Sequence, residues 1–221
     1  MLNLSRCIEL TGIPESLGRL QALTALNLSY CRALTGLPES LGQLTVLRTL
    51  QLSWCESLAK LPESTGQLAA LRTLNLNKCR ALTGLPESLG QLVALRTLFL
   101  CGCGALTGLP ESVGQLAALR TLDLGGCVTL TRLPESLGQL AALRNLLLGE
   151  CSALKFPPAS IVSVDQGVST IKTFLLAHHN ALKIMMTILA ARRRHMRHPP
   201  PELWVLIRDE FFSGLTITLG I

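Results

Sequence analysis

Ala33-Leu34-Thr35-Gly36-Leu37-Pro38-Glu39-Ser40-Leu41-Gly42-Gln43-Leu44 decides the fold because it keeps returning. Its Pro-Glu-Ser triplet begins at Pro14, Pro38, Pro62, Pro86, Pro110 and Pro134, with a worn copy at Pro158, in steps of 24 residues. Self-similarity at one period of about 20 to 50 residues marks a stack of supersecondary units, each of which buries its apolar face against its neighbours. Leu47-Arg48-Thr49-Leu50-Gln51-Leu52 alternates apolar and polar residues, the period of a half-buried strand. Stacking the units lines these strands into one parallel sheet with the leucines inward. Pro38 suits the first position of a helical turn, Glu39 sits beside the positive end of that turn, and Gly42 can end it.

One unit reads Leu47, Leu50, Leu52, Cys55, Leu58, Leu61, Pro62, Ser64, Gly66 and Leu68 at fixed offsets. It resembles the cytoplasmic plant type of leucine-rich repeat, LxxLxxLxLxxCxxLxxLPxSxGxL, which recurs in intracellular immune receptors of the TIR-NBS-LRR kind and in related plant and algal proteins. The resemblance covers residues 1–160. It implies an α/β solenoid of about seven units, a curved horseshoe with a parallel sheet on its concave face and short helical turns on its convex face. Residues 161–221 form a separate helical C-terminal segment in this reading. Repeat folds host many binding functions, so the resemblance does not specify the ligand.

A chain of 221 residues with 48% hydrophobic and 15% charged residues has the balance of a globular protein. The net charge of +6 divides evenly, with 13 Lys/Arg against 10 Asp/Glu in residues 1–160 and 7 against 4 in residues 161–221. Met1 to Cys7 already read as a repeat strand. The expectation is therefore a chain with no secretory leader and, without a polar cap before its first apolar layer, a piece of a longer protein or a gene product begun too late. Cys7, Cys31, Cys55, Cys79, Cys103, Cys127 and Cys151 stand in one column. The resemblance implies a small inward polar group at that position, hydrogen-bonded to the backbone, and a thiol meets this need in a reducing compartment. Cys101-Gly102-Cys103 lacks the paired spacing and histidine partners of a metal site.

The pattern decays after Leu154, and Ser163 to Gly167 is small and polar. From Val168 to Ala191, Val168, Ile171, Leu175, Leu182, Met185 and Leu189 recur at helical spacing, opposed by Lys172, His179, Lys183 and Thr187, so an amphipathic helix is expected. A membrane span there would bury Lys172, His178, His179, Asn180 and Lys183 in hydrocarbon, which disfavours it. The preferred reading is a cap docked on the last repeat; a surface for a membrane or partner is the alternative. Arg192-Arg193-Arg194-His195-Met196-Arg197-His198 reads as a solvated helix end, with a nuclear-localisation patch as alternative. Pro201, Glu202, Leu203 and Ile207 match the opening of an F-box, whose resemblance implies a substrate-receptor subunit of a ubiquitin ligase.

No phosphate-binding GxxxxGK[ST] run and no GxSxG elbow occurs, and every histidine lies in the tail, beyond the last cysteine. Some bacterial proteins with a similar solenoid carry a ligase cysteine after it; no cysteine follows Cys151 here. The expectation is a protein without enzymatic activity, cofactor or metal, cytoplasmic or nuclear. The column Glu15, Glu39, Glu63, Glu87, Glu111 and Glu135 reads as solvent-facing. The column Arg48, Arg72, Arg96, Arg120 and Arg144 stacks like charges, which want either neighbouring carboxylates or a polyanion. Variation concentrates where concave side chains are free of packing. Arg6, Tyr30, Gln51, Trp54, Asn75, Lys78, Phe99 and Asp123 are the candidate partner-binding residues, and an Arg-Tyr-Trp column has the composition of an interface hot spot. The expected partner is a protein held on this face, rather than nucleic acid.

Overall fold

A computed structural model of the chain describes residues 1–157 and 168–193. Seven short strands make one parallel sheet in chain order: β1 (Leu2–Asn3), β2 (Ala25–Asn27), β3 (Thr49–Gln51), β4 (Thr73–Asn75), β5 (Thr97–Phe99), β6 (Thr121–Asp123) and β7 (Asn145–Leu147). Each residue pairs with the one 24 positions on, as in Leu26 with Leu50 and Leu50 with Leu74. The middle leucine of every strand from β2 to β6 is buried while its two neighbours stay half-buried, so the sheet keeps one apolar and one open face. The interior is leucine almost throughout, stacked layer on layer. This is the solenoid expected from the 24-residue period.

Six 3-10 turns form the convex side, at Glu15–Arg19, Glu39–Gln43, Glu63–Gln67, Glu87–Gln91, Glu111–Gln115 and Glu135–Gln139. Two details differ from the sequence reading. Pro38 is the cap of its turn, with an extended ψ of 152°, and Glu39 takes the first helical position. Gly42 does not end the turn; it lies buried inside it, where a Cβ would stand 2.7 Å from the Ser64 carbonyl oxygen of the next turn. Close stacking of one turn on the next therefore requires glycine there.

The glutamates are also more than solvated charge. Glu15, Glu39, Glu63 and Glu111 each accept a hydrogen bond from the backbone N–H of Ser40, Ser64, Ser88 and Ser136, at 3.0–3.3 Å. Each carboxylate thus caps the turn of the following unit, satisfying an N–H that a short helical turn leaves without a partner. The nearby Ser40 hydroxyl and the bond from the Ser40 backbone N–H hold the Glu15 carboxyl below the ordinary glutamate value.

Inside the sheet's far end runs the cysteine ladder. The Sγ of Cys31, Cys55, Cys79, Cys103, Cys127 and Cys151 donates to the carbonyl oxygen of the leucine 27 residues earlier, at 3.1–3.2 Å. Burial pushes the thiols of Cys55, Cys103 and Cys127 up to about 12. The column is not uniform: Cys7 is exposed and Cys151 half-buried, because each lies in a terminal layer covered on one side.

The C-terminal helix, α1 (Val168–Arg193), begins where the apolar spacing places it. Ile171 and Leu175 enter the core, with Val168 and Phe174 packed at its edge. Its seat is the last 3-10 turn. A Cβ on Gly138 would stand 2.6 Å from the Leu176 backbone nitrogen, so the helix backbone occupies the place that the next turn takes at Gly42. His179, expected on the outer stripe, instead faces the solenoid: its Nε2 lies 3.0 Å from Gln139 Nε2, and its Nδ1 3.9 Å from Glu135. His178 Nδ1 is 3.1 Å from the same carboxylate, and its ring meets Phe156 edge-on at 4.8 Å. Glu135 is the one glutamate of its column that is buried, at 8% exposure, because the helix rather than another turn lies over it. Among the described residues no helix is long and apolar enough to cross a membrane.

Candidate functional site

The candidate residues fall in two rows along the sheet. Gln51, Asn75, Phe99 and Asp123 are direct cross-strand partners on β3 to β6, all half-buried on the concave face. Arg6, Tyr30, Trp54 and Lys78 form the second row, three residues further along each unit, beyond the strand end. That row has a backbone constraint the sequence did not disclose. Arg6, Tyr30, Trp54, Lys78 and Glu150 all have φ between 61° and 65°, and Gly102 and Gly126 occupy the same place with φ of 72° and 69°.

Left-handed backbone is natural to glycine and costs an L-residue roughly 1–2 kcal/mol. The amide of this residue reaches across to the next unit: Tyr30 N–H donates to Ser53, Trp54 to Asn77 and Lys78 to Cys101, at 2.7–2.8 Å. The left-handed turn thus extends the parallel ladder by one rung and sends the chain inward to the cysteine. Its side chain is left to point outward.

On the first units the outward side chains assemble. The Tyr30 and Trp54 rings stack with centroids 5.7 Å apart and planes 9° from parallel. Arg6 Cζ stands 5.9 Å from the Tyr30 centroid, and Arg80 Cζ stands 5.9 Å from the Trp54 centroid. Two cations therefore bracket two stacked rings, each near enough for cation–π attraction. Glu56 holds the arrangement from the side, 3.4 Å from Arg32 and 3.9 Å from Arg80. Tyr30 keeps 37% of its surface exposed, enough to meet a partner.

Arg32, Glu56 and Arg80 are not among the candidates from sequence, which all precede the cysteine of their unit. Their signal is present: they share a column one residue after the cysteines and alternate in sign at 24-residue spacing. Asn75 and Asp123 have a second occupation. Each side-chain oxygen accepts the backbone N–H two residues on, Asn77 and Gly125, at 3.0 Å, as Asn27 does for Ser29. Past Phe99 the floor flattens to Gly102, Gly125 and Gly126, and Leu147 lies 51% exposed on the edge strand.

Among the described residues no group of three or more His, Cys, Asp or Glu side chains is placed to hold a metal ion. Pro201, Glu202, Leu203 and Ile207, and the basic run from Arg194 on, lie outside the described residues.

A family model described as a leucine-rich repeat region matches residues 70–165, and a second, described as a leucine rich repeat, matches residues 22–44. No curated protein matches the chain. Among solved structures, the leucine-rich repeat domain of the type III effector XopL is 30% identical, with 63% of this chain and 57% of that one covered and a TM-score of 0.47. A leucine-rich-repeat protein of Leptospira interrogans is 26% identical, covering 73% and 57% of the two chains with a TM-score of 0.32. The ectodomain of the Arabidopsis thaliana receptor kinase GASSHO1, solved with CASPARIAN STRIP INTEGRITY FACTOR 2, is 30% identical, covering 62% and 20% with a TM-score of 0.41. The chain thus spans less than two thirds of each of these neighbours.

Proposed function

We propose, from the premise that the chain is a leucine-rich-repeat protein, that it is a non-enzymatic recognition scaffold which binds a protein through the first units of its concave sheet. The observation that carries this reading is the Arg6–Tyr30–Trp54–Arg80 stack. Tyr30 and Trp54 sit on left-handed backbone that favours glycine, and no buried leucine depends on them, so the fold alone gives no reason for large rings there. Rigid aromatics flanked by arginines on an open surface are what protein interfaces concentrate at their energetic centres. The neighbouring row Gln51, Asn75, Phe99 and Asp123 supplies a mixed polar and apolar surround. In this reading the chain works inside the cell, in the cytoplasm, as part of a receptor-like or signalling protein. The resemblance of its LPxSxGxL framework to that of plant immune receptors supports that placement.

The test is capture of binding proteins by the immobilised full chain, with quantitative mass spectrometry, alongside Tyr30→Ala and Trp54→Ala. A partner centred on the stack should lose about 2 kcal/mol or more, roughly a 30-fold drop in affinity, on either change while circular dichroism stays that of the folded chain. Undiminished capture by both variants would remove the stack as the site.

A further inference from the structure

At the opposite end of the strands lies a second row. Arg48, Arg72, Arg96, Arg120 and Arg144 each immediately precede their strand, and the backbone N–H of each later one donates to the carbonyl of the one before, at 2.8–2.9 Å. Strand spacing of about 4.8 Å therefore sets five guanidinium stems in a row about 19 Å long. All five are exposed, and among the described residues none makes an ion pair, although Arg32, Arg80 and Arg132 all do.

Carboxylates are missing from the whole strip. The windows 43–49, 67–73, 91–97, 115–121 and 139–145 contain no Asp or Glu. Beside the arginines run the half-buried Thr49, Thr73, Thr97 and Thr121, hydroxyl donors on the adjoining concave edge. The row itself contains no aromatic residue; beside it stands the single ring of Phe99, three residues after Arg96, and the Tyr30–Trp54 stack lies six residues away along the unit, about 20 Å for extended chain.

Like charges one strand apart destabilise a sheet, so five of them in register leave an electrostatic debt that a linear anion would cancel. Guanidinium groups bind phosphate oxygens in paired hydrogen bonds, and the hydroxyl row can add donors to the same oxygens. A ligand read by bases would need stacking platforms, which this strip lacks. We propose that the arginine row binds an unbranched chain of inorganic polyphosphate, recognised through its phosphates alone.

The probe is fluorescently labelled polyphosphate, followed by anisotropy against the full chain at several salt concentrations. For five phosphate contacts the slope of log affinity against log salt should be near −3.5, at about −0.7 per contact. The variant Arg72→Gln/Arg96→Gln/Arg120→Gln should weaken binding more than about tenfold at about 50 mM salt and flatten the slope by about 2. Lys60→Gln/Lys155→Gln/Lys172→Gln removes the same charge away from the strip and should leave both unchanged. Pyrophosphate at equal phosphate concentration should compete poorly, because it spans at most two guanidiniums. The proposal falls if the wild type does not bind polyphosphate, if the two triple variants weaken it equally, or if pyrophosphate competes as well as the chain. Tighter binding of single-stranded DNA of equal charge would overturn it in favour of a nucleic-acid ligand.

Discussion

Trp54 and Cys55 are neighbours in sequence, yet their columns follow opposite rules. The later column is cysteine in all seven units, whereas the earlier one runs Arg6, Tyr30, Trp54, Lys78, Gly102, Gly126, Glu150. The cysteine must fit a closed layer and donate to a leucine carbonyl, and Cys55, Cys79, Cys103 and Cys127 have no exposed surface. Its neighbour contributes only an amide to the ladder, in a left-handed turn that prefers glycine. Sameness in the inner column therefore has a bonding explanation. The rings of the outer column stack on each other but fill no place in the core, and the proposed binding role rests on that contrast.

The contrast predicts its largest effect in thiol reactivity. Cys55, Cys79, Cys103 and Cys127 should be alkylated only through opening of the solenoid, at least about 1000-fold more slowly than the exposed Cys7. Half-buried Cys101, on the outer side, should follow Cys7. Timed iodoacetamide labelling at pH 8 with peptide mass spectrometry reads the order directly; similar rates at Cys55 and Cys101 would erase the distinction between columns.

Alkali should act through the same column. Burial raises the thiols of Cys55, Cys103 and Cys127 from 9.0 to about 12, so the folded state holds protons that the unfolded chain gives up. A folded value above the unfolded one means that this stabilisation is complete below pH 9 and is lost as pH rises from 9 towards 12. The urea midpoint should fall steeply over that window, and less steeply in Cys55→Ala/Cys103→Ala. An equal fall in that variant would assign the loss to other groups.

A single rung tests the bond itself. Cys79→Ala removes the donor to the Leu52 carbonyl and leaves a small void, and should cost about 1–2 kcal/mol by urea unfolding. Loss of less than about 0.5 kcal/mol would mean that the ladder is a consequence of packing rather than a support, since changes free of packing fall in that range.

The inner column was legible in the sequence because repetition aligns its seven cysteines and the resemblance to a leucine-rich repeat implies an inward, hydrogen-bonded group at that position. The same 24-residue period gave the sheet and its register, and the separate helical spacing of apolar residues gave the start of the helix at Val168. It could not give backbone sign. Arg6, Tyr30 and Trp54 are residues no propensity rule places at positive φ; only Gly102 and Gly126 in the same column hinted at it. Contacts made between units were hidden for a related reason. Glu39 capping Ser64, and Glu135 meeting His178, join residues 25 and 43 apart, and a helical period read along one segment is blind to both.

The smallest predicted effect separates strain from packing at Trp54. Trp54→Ala keeps a side chain on left-handed backbone and loses the ring stacked on Tyr30, a pair worth about 0.5–1.5 kcal/mol. Trp54→Gly loses the same ring but relieves roughly 1–2 kcal/mol of backbone cost, partly offset by the greater freedom of glycine in the unfolded chain. The glycine variant should therefore be more stable than the alanine one by about 0.5–1 kcal/mol and lie near the wild type. Urea unfolding of the three proteins under identical conditions measures the order. If alanine and glycine lose the same amount, the turn carries no strain, and Trp54 does not stand there against the preference of its own backbone.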